Sequence, residues 1–245
     1  TTSIIQSKTV VLTSIGLDHT DILGNKITDI LDQKIYVSNN IETLFVSVLN
    51  DDLIEIIKSE YTNYSKSIFL SEYLNSKNIS FSKLIFKDLN YYLSLMVVDL
   101  LLQDIEYADL TNIKIKEVKG RFEIVNDSPL KIIDGAHNYE GVEILLRNYE
   151  NIYGHLNTDI YLGFKKGKDI NNILNLIIGK TNYNLHLIED DTFFDQEITK
   201  EIGYLLDKHG KNYKIASLEQ FKKNKNPSIL LGSLYLIGEY KKREL

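Results

Sequence analysis

The chain has 245 residues, of which 43% are hydrophobic and 25% charged, so it can form one large globular domain or two small ones. Its net charge of −6 has no basic stripe, which argues against a nucleic-acid partner, and the absence of cysteine excludes disulfides, thiolate nucleophiles and zinc–thiolate sites. Because no apolar run is long enough to span a bilayer and no signal-peptide core is seen, we expect no membrane association and a cytoplasmic location.

The first elements surround a polar loop. Residues 8–15 are β-branched and apolar and end at Gly16, which predicts a strand buried on both faces. The loop that follows contains His19, and apolar residues at helical spacing then continue from Ile27 to Lys34. His19 is therefore expected just past the carboxyl end of a strand, where open parallel sheets bind ligands.

Further elements follow up to a predicted domain boundary. The patterns predict a strand at 43–49, a helix at 51–60, strands at 67–70 and 80–86, and an apolar helix at 90–103. Met96 in this last helix is expected to fill a gap in the core. The aperiodic polar stretch 104–119 places a domain boundary near Lys119.

The second half of the chain alternates more regularly. Helical patterns separate most of its predicted strands, which indicates a parallel sheet covered by helices on both faces and hence an α/β fold. The predicted strands are 122–125, 131–134, 159–164, 185–188 and 229–231.

The segment Ile132-Ile-Asp-Gly-Ala-His-Asn138 joins the end of a strand to the start of a helix. Such a junction gathers backbone N–H groups, so Asp134, His137 and Asn138 can contact a ribose or phosphates. Asn138 can equally be only the helix N-cap, with His137 a satisfied structural residue.

A second cluster combines His19 in the loop Ser14-Ile-Gly-Leu-Asp-His19 with Lys34 on the next helix. Histidine is a common metal ligand, yet a single His beside one Asp on a polar loop is ordinarily structural or solvated. A lysine near a helix end ordinarily complements the helix dipole. From spacing alone both interpretations stay open.

Two segments imitate a phosphate-binding loop. In Gly163-Phe-Lys-Lys-Gly-Lys-Asp169 the glycines are one residue too close, and Asp169 replaces the Ser or Thr that holds magnesium. Gly179-Lys-Thr181 lacks the upstream glycine and is interpreted as a helix C-terminus. Surface or satisfied core positions are expected for the remaining histidines, which are His155, His186 and His209.

Taken in order, these clusters resemble the folylpolyglutamate/dihydrofolate synthase branch of the Mur ligase superfamily. The resemblance implies that His19 binds a magnesium ion and that Lys34 stands at the position of a carbamylated lysine, whose carbamate oxygen helps to hold a metal. Gly120-Arg-Phe-Glu123 resembles the interdomain segment of the family, in which Arg121 would face the nucleotide.

Three later segments extend the resemblance to the end of the chain. The motif from Asp134 to Asn138 resembles the one with which the family completes its ATP site, through residues here numbered Asp134 and His137. Gly167-Lys-Asp169 resembles the family's Asp-Lys-Asp segment, and Gly232-Ser-Leu-Tyr-Leu-Ile-Gly-Glu239 resembles its closing signature.

The resemblance implies two domains and a reaction. Residues 1–118 would be the C-terminal portion of the ATPase (Mur ligase central) domain, of P-loop type, and 119–245 the Rossmann-like C-terminal domain. The family uses ATP and Mg²⁺ to join L-glutamate to folate or dihydropteroate through an acyl phosphate, and a full-length member is expected to be monomeric. Catalytic roles would fall to His137 and carbamylated Lys34.

The chain also departs from the family. Gln33, Ile35 and Tyr36 replace a carboxylate and two small residues around Lys34, and Lys119 and Tyr139 replace prolines. The family's Gly-rich Lys-Ser loop is expected upstream of the first residue, so weak or undetectable ligase activity is predicted for this chain alone. The alternatives are a non-catalytic paralogue that binds a nucleotide or a partner, and another Mur-type ligase, which the closing Gly-Ser-Leu-Tyr disfavours.

Overall fold

The computed structural model divides the chain into two compact units, residues 1–115 and 116–245. It describes residues 8–16, 24, 26–38, 41–47, 51–61, 64–80, 84, 86–101, 118–180, 182–189 and 196–243. The assignment of residues 1–118 and 119–245 to the two ligase domains stays a prediction.

The first unit contains a parallel sheet of three strands in the order β1-β2-β3. These strands are β1 (Thr9–Leu12), β2 (Thr43–Val46) and β3 (Lys66–Phe69). The described helices of this unit are α1 (Ile27–Ile35), α2 (Asp51–Glu60), α3 (Leu70–Ser76) and α4 (Phe86–Leu101).

Both faces of the central strand β2 are buried, because its side chains alternate between them. Leu44 and Val46 pack with residues of α1 and α2, whereas Phe45 packs on the opposite face with residues of α3 and α4. Met96 on α4 is fully buried in that second cluster, as its sequence context predicted.

The edge strand β1 was predicted to be buried on both faces. It buries Val10 and Leu12 but leaves Val11 39% exposed, so this prediction is wrong for one face.

The second unit contains a six-stranded sheet in the order β4-β5-β9-β6-β7-β8. Strands β4 (Glu123–Asp127) and β5 (Leu130–Asp134) form an antiparallel pair, and all other pairs are parallel. The remaining strands are β6 (Thr158–Leu162), β7 (Tyr183–Ile188), β8 (Tyr213–Ala216) and β9 (Ser228–Leu231). The described helices are α5 (Tyr139–Tyr153), α6 (Ile170–Ile178), α7 (Gln196–Lys208), α8 (Leu218–Lys223) and α9 (Leu234–Lys242).

Helices cover both faces of the six-stranded sheet. Ile132 on β5 packs with residues of α5, α6 and α7, whereas its neighbour Ile133 packs on the other face with residues of α8 and α9. The predicted α/β fold with a mainly parallel sheet is confirmed.

Some local predictions differ from the structure. The strand predicted at 80–86 is wrong at Ser80 and Leu84, which lie in no strand, and at Phe86, which begins α4; residues 81–83 and 85 lie outside the described part. Helix α3 and strand β8 were not anticipated. Within the described ranges, no helix combines the length and hydropathy required to cross a membrane.

Candidate functional site

Three strand ends of the second unit meet at the carboxyl edge of its sheet. Strand β9 lies between β5 and β6, and the chain leaves β5 and β6 toward helices on one face but leaves β9 toward α9 on the other. Such divergence of neighbouring strands opens a crevice where α/β proteins bind ligands. Here the structure has a cavity of about 190 Å³ lined by His137, Lys165, Lys168, Gly232, Ser233, Leu234 and Tyr235.

The loops after β6 and β9 approach each other so closely that their backbones are in direct contact. The Gly163 N–H donates to the Leu231 carbonyl at 3.1 Å, and Gly232 has a φ of +122°. A Cβ at Gly232 would lie 2.5 Å from the carbonyl oxygen of Gly163. Glycine at 232 therefore allows the Lys165–Lys168 segment and the start of α9 to face the same cavity.

The carboxylate of Asp134 accepts hydrogen bonds from backbone N–H groups on two sides of the site. It is 8% exposed, its Oδ1 accepts from the Ala136 N–H at 2.7 Å, and its Oδ2 accepts from the Phe122 N–H at 2.7 Å. Burial raises the pKa of Asp134, against the opposing effect of these N–H groups and of Arg121. Both carboxylate oxygens are engaged by backbone, so Asp134 shapes the site.

Arg121 stands beside Asp134 on a tight turn. Its Nη1 lies 3.9 Å from Asp134 Oδ1, and its side chain is 46% exposed. The flanking residues Gly120 and Phe122 both have positive φ, +71° and +44°. The Gly135 N–H donates to the Gly120 carbonyl at 2.9 Å, which ties this turn to the end of β5. Two of the sequence motifs are thus brought together, and the nucleotide-facing role of Arg121 stays a prediction.

His137 and Asn138 complete the junction between β5 and α5. His137 Nδ1 lies 2.8 Å from the Gly135 carbonyl oxygen, so Nδ1 carries the proton and Nε2 carries the lone pair of the neutral ring. Asn138 is the N-cap of α5, and its Oδ1 accepts from the Gly141 N–H at 3.0 Å. The capping interpretation of Asn138 is confirmed, and its contact with a nucleotide stays a prediction.

Two lysines and a tyrosine were not recognised as site residues. Lys165 and Lys168 line the cavity, and Lys165 Nζ lies 3.5 Å from the ring centroid of Tyr235. These lysines belong to the segment that had been compared with a phosphate-binding loop and, at Gly167-Lys-Asp169, with the family's Asp-Lys-Asp segment. Its Asp169 N-caps α6 by accepting from the Asn172 N–H at 3.3 Å. Their position after the carboxyl end of a central strand was the available signal.

Only one of the two predicted metal ligands in the first unit lies among the described residues. His19 lies outside the described residues, whereas Lys34 Nζ lies 3.4 Å from the carbonyl oxygen of Ser14, just past β1. Next to Lys34, Ile35 is fully buried, and Tyr36 is half exposed and packs on Tyr61 with ring centroids 5.9 Å apart. The described residues contain no group of three or more His, Cys, Asp or Glu side chains that could hold a metal ion. Carbamylation of Lys34 stays a prediction.

The other predicted structural residues lie away from the cavity. Gly179 caps the C-terminus of α6, as predicted. His155 and His209 are exposed. His186 is a partly buried histidine that stacks on Tyr161 with ring centroids 4.4 Å apart, and its Nε2 lies 3.7 Å from Asp159 Oδ2. Burial lowers the pKa of His186, against the effect of the nearby Asp159.

No protein-family model matches the chain. The dihydrofolate synthase/folylpolyglutamate synthase of Bacillus subtilis is 24% identical to it, over 99% of this chain and 64% of the relative. The bifunctional folylpolyglutamate synthase/dihydrofolate synthase of Yersinia pestis, solved with AMPPNP and a Mn ion, matches with a TM-score of 0.69 and 16% identity over 99% of this chain and 63% of that one. E. coli FolC, solved with DHPP and ADP, matches with a TM-score of 0.69 and 17% identity over 99% of this chain and 62% of that one.

The chain thus spans less than two thirds of the length of these relatives. The similarity nevertheless extends over nearly all of the chain, and both units are included in it. The resemblance that the motifs indicated is therefore confirmed: the chain is similar in sequence to a dihydrofolate synthase/folylpolyglutamate synthase and has the α/β fold of the solved folylpolyglutamate/dihydrofolate synthases.

Proposed function

We propose that the chain contributes to an ATP-dependent ligase that adds L-glutamate to folate or dihydropteroate. The observation that supports this proposal most directly is the convergence of three motif segments on one cavity of the second unit. The segments from β5, β6 and β9 supply His137, Lys165 and Ser233 to its wall. None of these segments is diagnostic alone, but a ligase of this kind needs them in one place.

The proposed reaction requires positive charge at the site to compensate the negative charge of its substrates. A carboxylate oxygen of the folate or dihydropteroate attacks the γ-phosphorus of ATP, and ADP leaves. The amino nitrogen of glutamate then attacks the acyl carbon, and phosphate leaves as the amide forms. Each step brings several anions together, so fixed cations stabilise the transition states. Lys165 and Lys168 line the cavity, and Arg121 lies beside Asp134 at the end of β5, so these described side chains can supply such cations.

His137 is suited to a proton transfer in the second step. Because its Nδ1 donates to the Gly135 carbonyl, Nε2 is the basic atom of the neutral ring. In this proposal Nε2 accepts the proton that the glutamate nitrogen loses as it attacks the acyl phosphate. The Gly135 carbonyl fixes both the tautomer and the orientation of the ring.

Magnesium is the proposed cofactor, and it would neutralise charge on the phosphate oxygens. His19 and carbamylated Lys34 are its predicted ligands. The described part of the first unit shows Lys34 beside the end of β1, and its described residues contain no group of three or more His, Cys, Asp or Glu side chains that could hold a metal ion.

The substrate classes follow from the relatives. The Yersinia pestis enzyme has been solved with Mn, AMPPNP and L-glutamate, and E. coli FolC with DHPP and ADP. We propose ATP, L-glutamate and folate or dihydropteroate as the corresponding substrates here. A cytoplasmic monomer without nucleic-acid or membrane partners fits this role.

The proposal is tested with the chain fused to the part of the Bacillus subtilis relative that it does not match, because weak or undetectable activity is predicted for the chain alone. The purified fusion is supplied with Mg–ATP, L-glutamate and dihydropteroate whose carboxylate carries ¹⁸O. Mass spectrometry should detect a product one glutamate residue heavier, together with one ADP per product. One ¹⁸O should appear in the released phosphate, because the acyl phosphate passes that oxygen to phosphorus. ATP turnover without glutamate addition, or phosphate free of ¹⁸O, would contradict the reaction.

A non-catalytic paralogue is the second candidate, and the surroundings of Lys34 favour it. Ile35 fills the core, and the ring of Tyr36 packs on Tyr61, whose hydroxyl donates to Asp32. These bulky side chains stand where the family has small ones. Binding of Mg–ATP without any glutamylated product, also when the chain is fused to the part of a relative that it does not match, would support this candidate over the ligase.

A further inference from the structure

We infer that Glu123 is a positioning residue of the site, whose carboxylate couples the turn carrying Arg121 to helix α9. The consequence of this coupling for ligand binding rests on the proposed function. The coupling itself is carried by contacts within the second unit alone.

The two oxygens of Glu123 have different partners. Oε2 accepts from the Gly120 N–H at 2.6 Å, and Oε1 contacts Lys241 Nζ at 2.6 Å. The side chains of Glu123 and Lys241 are only 16% and 26% exposed. Burial acts to raise the pKa of Glu123, but Lys241 and the Gly120 N–H hold it below its ordinary value. Glu123 is therefore ionised at neutral pH and binds both partners at once.

The turn that Glu123 holds has an unfavourable backbone conformation. Phe122 has a φ of +44°, a region that residues with a side chain seldom adopt unless other contacts hold them there. Asp134 fixes the Phe122 N–H, and Glu123 fixes the Gly120 N–H. These contacts hold Arg121 between two constrained residues, so losing either one frees the turn.

The other partner of Glu123 lies on the helix whose first turn lines the cavity. Lys241 is in the last turn of α9, and Leu234 and Tyr235 in its first turn line the cavity. The helix also packs against the turn, because a Cβ at Gly120 would lie 3.2 Å from Ile237 Cγ2. Because Lys241 and the cavity-lining residues Leu234 and Tyr235 lie on the same helix, the Glu123 carboxylate is placed to position the Arg121 turn and the cavity wall together.

The test compares pair-breaking variants of the whole chain by amide hydrogen exchange. Glu123→Gln keeps the shape of the side chain but removes its negative charge. Lys241→Met removes the cation that pairs with Glu123, whereas Lys241→Arg keeps a cation at this position. The matched control is Lys180→Met, which breaks the 2.7 Å pair of Lys180 with Glu150, whose side chains are 34% and 12% exposed. Glu150 lies about 18 Å along α5 from Asn138, so this pair is remote from the cavity.

Glu123→Gln and Lys241→Met should each raise exchange about tenfold in the peptide that covers 118–124, and raise it in α9. Lys241→Arg should return it to the wild-type rate, and Lys180→Met should leave it unchanged. Wild-type rates in 118–124 for both pair-breaking variants would overturn the inference. If Glu123→Gln fails to fold, the comparison of Lys241→Met, which loses the cation, with Lys241→Arg, which keeps it, decides the result.

Titration with Mg–ATP separates this inference from the proposed function. Where the wild type binds, the two variants should bind about tenfold more weakly and Lys180→Met should bind normally. Normal binding by Glu123→Gln and Lys241→Met would overturn the positioning role. Faster exchange in the variants, together with no Mg–ATP binding by the chain fused to the unmatched part of a relative, would refute the proposed function and leave the coupling supported.

Discussion

The carboxylate of Asp134 and the backbone N–H of Phe122 form a 2.7 Å hydrogen bond between residues twelve positions apart in the chain. Through this bond the end of β5 determines where the Arg121 turn lies. The motif aspartate therefore acts on the backbone, and its second oxygen holds the Ala136 N–H in the same way.

Asp134→Asn should lower the free energy of unfolding by about 1–3 kcal/mol, because an amide has one acceptor oxygen and leaves one of the two buried N–H groups without a partner. Urea denaturation at neutral pH measures this loss. Asp127→Asn, an exposed change at the end of β4, should alter stability by less than about 0.5 kcal/mol. Equal effects of the two substitutions would show that the Asp134 hydrogen bonds do not hold the turn.

Gly232→Ala should be far more harmful than Gly167→Ala. Both glycines have positive φ, +122° and +83°, so both substitutions strain the backbone, at about 1–3 kcal/mol each. Only at Gly232 does the new Cβ meet backbone, 2.5 Å from Gly163 O, whereas at Gly167 nothing lies within 4 Å. Thermal and urea unfolding of the two variants should therefore differ by about 2 kcal/mol or more. Similar stabilities would contradict the close approach of the two loops.

Lys165→Gln and Lys168→Gln should weaken the binding of anionic substrates about tenfold, because each removes a cation from the cavity wall. Calorimetric titrations with Mg–ATP and with L-glutamate, performed separately, would show which anion each lysine contacts. Lys166→Gln is the control, since Lys166 is 76% exposed and pairs with Glu197 at 3.8 Å. A loss of affinity in Lys166→Gln as large as in the other two would indicate a general charge effect.

Asp159 should contribute to acid unfolding. It is buried, which acts to raise its pKa, but the amides of Asn184 and Asn224, each at 2.8 Å, hold that pKa below its ordinary value. A depressed folded pKa gives stability that is present above the unfolded pKa of about 3.9 and is lost as pH falls through the folded pKa. Asp159→Asn should therefore be less stable at pH 7 and show a flatter decline below about pH 4.

Urea denaturation at a series of pH values measures this dependence. The exposed Asp207→Asn is the control and should follow the wild-type curve. A decline of Asp159→Asn parallel to the wild type would refute the assignment.

The sequence predicted the fold where hydrophobic periodicity was clear, and failed where short runs were ambiguous. The helix at Asp51–Glu60 matches its prediction because its apolar residues recur at helical spacing. The segment 80–86 was taken for a strand, although Phe86 begins a helix, since so short a segment has no clear period that separates strand from helix. Strand β8 was missed because its four residues include the polar Lys214 and alternate weakly.

The site was predictable in its motifs but not in its assembly. Asp134 and His137 could be selected because strand ends and helix starts are visible in sequence. Arg121 was selected only because Gly120-Arg-Phe-Glu123 resembles the interdomain segment of the family. That Lys165 and Tyr235 face the same cavity depends on β9 inserting between β5 and β6, a long-range pairing with no local signal. The roles of the Glu123 carboxylate and Lys241 were hidden for the same reason, since the two residues are 118 positions apart.

The most direct test of the central claim is a hydrogen-exchange footprint of the whole protein with and without Mg–ATP and L-glutamate. If one ligand site is formed at the carboxyl edge of the second unit, protection should appear together in the peptides that contain 120–123, 134–138, 163–168 and 232–235. Protection in none of these segments at saturating ligand, or protection confined to other parts of the chain, would contradict the account.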